Sequence, residues 1–356
     1  MHFHDGQVPD EYRRYIGLKL AFVAATAAAV ALALALAISL GAARVPLIDV
    51  FKTLLGFEVP RRFELIVWSI RLPQALTDFT AGAGLAVAGA AMQSILRNPL
   101  GSPFTLGISH AAAFGAAFAV MLLGGGVMSS SSVGAVSVTS PYLTTAAAFA
   151  ASLLASGAII LVSRTRGVTP EVMVLTGVAL GALFTAGTMF LQFFADDAQL
   201  AAMVFWTFGD TARASWSELG IMAVVALAGF AYFLSQSWSY NAIDAGDETA
   251  KGLGVRVERV RMLGMLVASL VTAVTIAFLG IIGFVGLVVP HMVRRVIGSD
   301  HRFLLPASVF VGGLLLLVSD TAARLVLAPH VLPVSVLTAF MGAPVFIYLI
   351  VKGGRR

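Results

Sequence analysis

Uninterrupted apolar runs about twenty residues long recur along the chain, and they constrain its fold more than any other feature. The hydrocarbon core of a bilayer is about 30 Å thick, and a helix of roughly 20 residues crosses it. No water is present there, so each backbone amide must be satisfied inside the spanning element. That leaves helices or a closed β-barrel. A barrel would read as short segments of alternating polarity. These runs are long and continuous, so the sequence predicts an all-α polytopic membrane protein with about ten transmembrane helices. The runs lie at 20–40, 71–96, 105–123, 142–162, 172–194, 219–234, 263–279, a stretch closing at Pro290-His291, 304–326 and 333–351. Short helices are expected near 47–55 and 200–208. Residues 1–19 read as a polar tail before an uncleaved first span, because the apolar run is longer than a signal-peptide core. The chain reads as one domain, 1–356. At 59% hydrophobic and 12% charged, it lies far from the roughly 25% charge of soluble domains.

One hydrophilic island interrupts this pattern. Residues 241–261 carry Asp244, Asp247, Glu248, Lys251, Arg256, Glu258, Arg259 and Arg261 between two spans, so the segment must sit in water. Asp244 to Gly246 reads as a turn between two short helices. Asp247 can cap the second, with Glu248 in its first turn. Lys251 lies four residues on, and Gly252 and Gly254 stop the helix. Ile243, Ala250 and Leu253 supply a small apolar face. Such a piece suits docking of another protein, and a solvated loop is the alternative. Ten spans put both termini on one side. With the termini inside, the outer segments hold Arg44, Lys52, Arg61, Arg62, Arg71, Arg213 and Arg324, and the other sixteen of the 23 lysines and arginines lie inside. This bias orients the chain with termini and island in the cytoplasm, and it explains the net charge of +5 without nucleic acid.

The absence of cysteine excludes disulfides and thiol chemistry. There is no phosphate-binding GxxxxGK[ST] loop, so any ATP must be held by another chain. The six histidines show no ligand spacing beyond His2 and His4. Charges inside a membrane are costly and mark function by default. Asp320 and Arg324, four apart, share a helix face, as do Arg71 and Asp78, seven apart; the plain alternatives are a stabilising ion pair and a polar interhelical contact. An ion-coupled secondary transporter would need a longer series of buried acids. Gly177 and Gly181 form a GxxxG on the fifth span, and Gly82, Gly84 and Gly89 lie on the second. These permit close helix contact within the bundle or at a dimer seam. Spans two to five and seven to ten flank the island in equal number, as an inverted repeat would.

Several of these stretches together are similar to a known family. They are Arg71-Leu72-Pro73, AGAAMQ at 88–93, Asn98-Pro99-Leu100, Gly107, GVALG at 177–181, GFVGLVVPH at 283–291, Asp300-His301-Arg302, Leu305-Pro306, DTAAR at 320–324 and GAPVF at 342–346. From about residue 65 onward the chain resembles the permease subunits of iron-siderophore, haem and cobalamin ABC importers. The resemblance implies a homodimer in the inner membrane, with two ATP-binding subunits below and an extracytoplasmic solute-binding protein above. It implies no cofactor on this chain, with ATP and Mg on the partner ATPase. By the same resemblance 242–254 (Ala242, Ile243, Asp244, Asp247, Glu248, Lys251, Leu253, Gly254) couples to the ATPase. Arg71 and Arg324 receive acids of the binding protein, helped by Arg61 and Arg62 where Gln74 replaces a second arginine. Asn98, Leu100, Thr169 and Glu171 close the path on the cytoplasmic side. The cargo is a metal chelate, with siderophore iron first, then haem or cobalamin.

Overall fold

The computed structural model describes residues 10–123, 141–328 and 330–353. His2, His4, the Gly/Ser-rich connection after the third span and the last basic residues, Arg355 and Arg356, lie outside them. Among the described residues every regular element is helical. Helix α1 (Asp10–Ser39) starts ten residues earlier than expected, so the polar tail is helical from Asp10. Asp10 and Glu11 in its first turn complement the helix dipole. Helix α2 (Leu47–Leu54) follows, then α3 (Arg61–Ile66), a π-helical turn (Val67–Arg71) and α4 (Leu72–Ile95). The last three form one continuous segment, Arg61–Ile95.

The second span therefore does not open at Arg71. Pro73 explains the π turn. Leu72 donates to the Val67 carbonyl five residues back. The next such bond would run from residue 73 to Trp68, and proline has no N–H to give. The orphaned Trp68 carbonyl instead accepts from the Trp216 indole at 2.9 Å.

Next come α5 (Ile108–Leu122), α6 (Pro141–Arg166), α7 (Pro170–Phe194), α8 (Asp197–Thr207), α9 (Trp216–Ser235), α10 (Ser237–Asp244), α11 (Asp247–Gly252), α12 (Val257–Leu279), α13 (Val285–Ile297), α14 (His301–Val326) and α15 (Val334–Gly353). Among the described residues seven helical segments are long and apolar enough to cross a membrane, and α5 and α15 are shorter apolar helices. Helix α13 has 13 residues, about 20 Å of rise, too short to cross a bilayer on its own.

Helix α4 is the axis of the bundle. It packs against α14, α12, α9 and α13, and nearly all of it is buried. Two glycine contacts set its approach. A Cβ on Gly82 would lie 2.3 Å from the Gly312 carbonyl oxygen, and one on Gly89 would lie 1.8 Å from that of Gly286. The GxxxG of α7 is also used inside the chain, because a Cβ on Gly177 would stand 2.9 Å from the Leu106 Cα.

The pairings are reciprocal between the two sets of spans. Helix α4 meets α14 as α12 meets α6; α4 meets α13 as α12 meets α5; α5 meets α7 as α13 meets α15. The second helix of each set also opens from a left-handed residue, Gly107 (φ 78°) or Phe284 (φ 66°). This is the contact pattern of an internal repeat.

Candidate functional site

Polar side chains gather at two opposite ends of the bundle. At the first end, α10 and α11 form the two short helices expected in 241–261, joined at Gly246 with φ 120°. Ile243 and Ala250 are fully buried and anchor the pair. Leu253 does not join them; it is 71% exposed. Ala242 is half-buried, Glu248 and Lys251 are exposed, and Gly254, at φ 83°, turns the chain toward α12. Lys251 pairs with Glu248 at 3.4 Å and Glu258 at 3.8 Å, not with Asp247. Gly246 occupies the N-cap of α11 and no side chain caps it. Asp247 sits in the first turn with its carboxylate committed elsewhere.

That commitment is to Arg261, which sequence reasoning passed over. Its side chain is 2% exposed. It grips Asp247 through Nη2 at 2.7 Å and Nη1 at 2.8 Å. Nε donates to the Ile95 carbonyl at 2.9 Å, and Nη1 also reaches the Val168 carbonyl at 3.4 Å. One guanidinium thus ties α11 to the end of α4 and to the residue before Thr169. The segments expected to gate the path begin at those two points. Beyond Ile95, Arg97 adopts a left-handed φ of 45° and lies 3.9 Å from Asp247. Asn98 Oδ1 then accepts from the Leu100 amide at 2.9 Å, fixing the turn that leaves Leu100 exposed. Thr169 caps α7 by accepting from the Val172 amide at 3.4 Å, with Glu171 exposed in the first turn.

The hydrogen bonds from Arg261 hold the Asp247 carboxyl below the usual carboxylate range. A lowered folded value contributes stability above the ordinary value of 3.8 and loses it as pH falls through the folded value. The Asp247 carboxylate is therefore ionised throughout the neutral range.

A second link runs beside it. His301, fully buried, meets Ser94 Oγ through Nε2 at 2.8 Å and Asn241 Oδ1 through Nδ1 at 2.9 Å. An amide oxygen only accepts, so Nδ1 carries the proton and Nε2 accepts from Ser94. Asn241 Nδ2 donates to Asp300 at 3.0 Å, and Arg302 pairs with Asp300 at 2.6 Å. Burial opposes ionisation of Asp300, but the hydrogen bonds from Arg302 and Asn241 win and hold it at about 2. Asp244 Oδ2 lies 3.3 Å from Ser94 Oγ; burial pushes the Asp244 carboxyl up, and Arg294 opposes that. Arg294 hydrogen-bonds Gln93 Oε1, and Gln93 Nε2 donates to the Leu287 carbonyl at 3.0 Å. Sequence reasoning missed Ser94, Asn241, Arg294 and His301 as a set. The available signal was the Asp300-His301-Arg302 triplet next to the island.

At the opposite end, Arg71 turns away from Asp78 and toward α1. Its Nη1 donates to the Ile38 and Ser39 carbonyls, both at 2.8 Å, and Nη2 to Ala43. The residue is 6% exposed. Asp320 receives Arg324 Nε at 2.9 Å, Gln74 Nε2 at 3.1 Å and Thr211 Oγ1 at 3.1 Å. The Asp320–Arg324 pair expected from spacing is present, and Gln74 joins it. Asp78 is fully buried beside this cluster, and neither carboxylate oxygen has a hydrogen-bond partner among the described residues. Arg61 and Arg62 are exposed, the latter's guanidinium 4.7 Å from the Phe63 ring centroid. Of the four arginines expected to meet a partner at this end, Arg61 and Arg62 are exposed, whereas Arg71 and the Arg324 side chain are largely buried.

A third feature lies between α7 and the start of α5. A cleft of about 450 Å³ is lined by Gly177, Val178, Gly181, Ala182 and Met189 of α7 together with Thr105 and His110.

Comparison with known proteins agrees with this architecture. An ABC transporter permease protein of Methanocaldococcus jannaschii is 50% identical over 98% of this chain and 99% of its own length. A hemin transport system permease of Yersinia pestis is 35% identical, covering 88% and 92%. A cobalamin import system permease of Halobacterium salinarum is 36% identical, covering 83% and 76%. A metal-chelate type ABC transporter solved in an inward-facing conformation superposes with a TM-score of 0.80 at 28% identity, covering 93% of this chain and 98% of that one. The model of the FecCD transport family matches residues 29–352. A helical bundle with segments long and apolar enough to span a membrane, an exposed helix pair wired into its central helix, and these relatives lead to one conclusion: the chain belongs to the FecCD transport family, the multi-pass permease subunits of ABC importers whose ATP is hydrolysed by a separate ATPase.

Proposed function

We propose that this chain is the permease of an ATP-driven importer of a metal chelate in the cell inner membrane. It works as a homodimer enclosing the transport path, with two ATP-binding subunits against the 241–261 segments and an extracytoplasmic solute-binding protein against the opposite ends. The chain is a single domain, 1–356, with both termini and the 1–19 stretch in the cytoplasm, an orientation that the distribution of lysine and arginine favours. ATP and Mg act on the partner ATPase, and this chain holds no cofactor of its own.

The observation that carries this reading is the Arg261 joint. A motor that moves α11 pulls through one guanidinium on the roots of both 98–100 and 169–171. Asn98, Leu100, Thr169 and Glu171 then change place together as ATP closes the two motor subunits, and the path opens to one side at a time. The exposed Glu248, Lys251 and Leu253 offer the motor its contact surface. An ion-coupled carrier fits less well, because it would need a longer series of buried acids than Asp78 and Asp320, and Asp320 is already paired with Arg324. For the cargo, siderophore iron is the first reading. Haem and cobalamin are the alternatives, being the cargoes named for the hemin and cobalamin permeases that the chain resembles.

The docking role is tested at Arg61 and Arg62. Their double reversal to glutamate is expected to weaken binding of the solute-binding protein by roughly tenfold or more at low salt, mainly through slower association. ATPase subunits should copurify unchanged. Unaltered affinity would remove these arginines from the docking face. The pair is a cleaner test than Arg324→Glu, which would place a second acid against Asp320.

A further inference from the structure

We infer that the edge of the bundle where α1, α10 and α14 meet binds the headgroup of an anionic phospholipid, at the end that carries the 241–261 segment. This goes beyond the importer reading and does not depend on it.

Three elements pass between apolar chain and water here. The apolar run of α1 begins at Leu20, directly after Lys19. Helix α9 ends at Ser235, and α10 starts at Ser237. Helix α14 opens at His301. Side chains from these junctions come together. The Arg302 guanidinium lies 4.7 Å from the Trp238 ring centroid and 5.7 Å from that of Phe303, and the Tyr12 hydroxyl interacts with it. The Lys19 ammonium lies 4.1 Å from the Tyr15 ring centroid and 4.9 Å from that of Phe303. Two cations and four aromatic rings from three helices thus form one cluster. Tyrosine and tryptophan gather at the headgroup level of a bilayer, because an apolar ring body and a polar tip suit both sides of that boundary.

Exposure divides the cluster into contacts and a charge behind them. Trp238 is 67% exposed, Tyr15 53% and Tyr12 46%, and the Arg302 side chain is 39% exposed. These can touch a headgroup. Lys19 cannot, being 2% exposed. Its ammonium has no hydrogen-bond partner among the described residues. It acts at a distance, as a positive charge under the surface. Asp300 takes Nε and Nη2 of Arg302. That leaves Nη1 for a phosphate oxygen, which a forked guanidinium can hold beside a carboxylate. Arg13 and Arg14 are exposed on the same turn of α1, and Asp10 and Glu11 lie one turn farther from the apolar run. The charge nearest the bilayer is therefore positive, as an anionic lipid requires.

A protein partner is the competing occupant. The lipid is favoured because every member of the cluster lies on or just beyond a spanning helix, whereas Glu248 and Lys251 lie a further helix along the chain. The site also reaches the coupling segment. Asp300, held by Arg302, accepts from Asn241 of α10 at 3.0 Å, so a headgroup on Arg302 and Trp238 steadies α10 against α1 and α14.

The test uses the complete transporter, permease with its ATPase, reconstituted in equal amounts of phosphatidylglycerol and phosphatidylcholine. Native mass spectrometry after mild detergent release counts the lipid retained. Wild type is expected to keep phosphatidylglycerol in preference. One basic residue near an anionic surface is worth about fivefold in binding. Lys19→Met, which keeps the unbranched stem and removes the charge, should lower the preference by about fivefold. Arg302→Gln should lower it by at least as much, and Arg302→Lys should restore part of it. Independently, brominated phosphatidylglycerol should quench Trp238 more than brominated phosphatidylcholine does, with Trp238→Phe defining the signal. Equal lipid preference in wild type, Lys19→Met and Arg302→Gln would overturn the site, as would equal quenching by the two lipids. Loss of ATPase copurification in Arg302→Gln with lipid preference unchanged would assign the patch to the motor and overturn it too. All of these are read without nucleotide, so their failure leaves the importer reading standing.

Discussion

Arg261→Ala is expected to release α11 from the bundle, at a cost of about 3 kcal/mol. Removing one partner of a buried ion pair costs roughly 3–5 kcal/mol. The lower end applies here because the Asp247 side chain is 28% exposed and regains some water. The loss is more than one ion pair, since the Ile95 carbonyl also loses its donor. At about 1.4 kcal/mol per tenfold, local opening of 247–253 rises by about a hundredfold. Hydrogen exchange in that segment should accelerate by the same factor while exchange in the core of α4 holds. On the proposed coupling, the ATPase in the reconstituted transporter keeps its contact with the exposed face of α10 and α11, so hydrolysis is expected to continue while transport falls. Arg261→Lys should rescue little, because an ammonium keeps the charge but lacks the planar fork that meets both carboxylate oxygens and a carbonyl. Unchanged exchange with normal coupling in Arg261→Ala would remove the joint from the mechanism.

Gly89→Ala is expected to be the most damaging single methyl in the central helix. The new Cβ would lie 1.8 Å from the Gly286 carbonyl oxygen, 2.5 Å from its carbon and 2.6 Å from its Cα. All three are backbone atoms, so no side-chain rotation relieves the overlap. Helices α4 and α13 must separate, and the loss of close packing spreads along both. Overpacking costs typically about 1–3 kcal/mol and occasionally more; a backbone collision puts Gly89→Ala at about 3 kcal/mol or above. A fall in thermal stability of the detergent-solubilised protein measures it. Gly157→Ala and Gly220→Ala are the controls, since nothing lies within 4 Å of either Cβ. They should be neutral or mildly stabilising, by up to about 1 kcal/mol from helix propensity. Equal losses at all three positions would show that the glycines act through backbone freedom and not through contact.

These two residues also mark where the sequence stops being readable. Gly89 was legible as a close-packing residue, because small side chains in a span have one common use. Its partner was not, since Gly286 lies on a helix almost two hundred residues away. Asp247 was legible as a functional acid in a water-exposed segment. Local spacing offered Lys251 as its partner, but the chain folds back through Gly254 and brings Arg261 to it. The turn at 244–246 was found because glycine and aspartate punctuate it. The start of the second span was missed because Arg61, Arg62 and Glu64 look like loop and Pro73 looks like a beginning. The π turn and the Trp216 indole reconcile that proline with a continuous helix. Arg71 was read as sharing a helix face with Asp78. The C-terminal carbonyls of α1 that take up its guanidinium leave no trace in the sequence around it.

The central claim is that this bundle is moved from outside, through the helix pair that stands in water. The most direct measurement is uptake of a metal chelate into vesicles that contain the purified chain alone, or the chain with its ATPase, binding protein and ATP. The account predicts uptake only in the complete set, and its loss when ATP is withheld. Uptake by the chain alone, driven by an ion gradient, would contradict it.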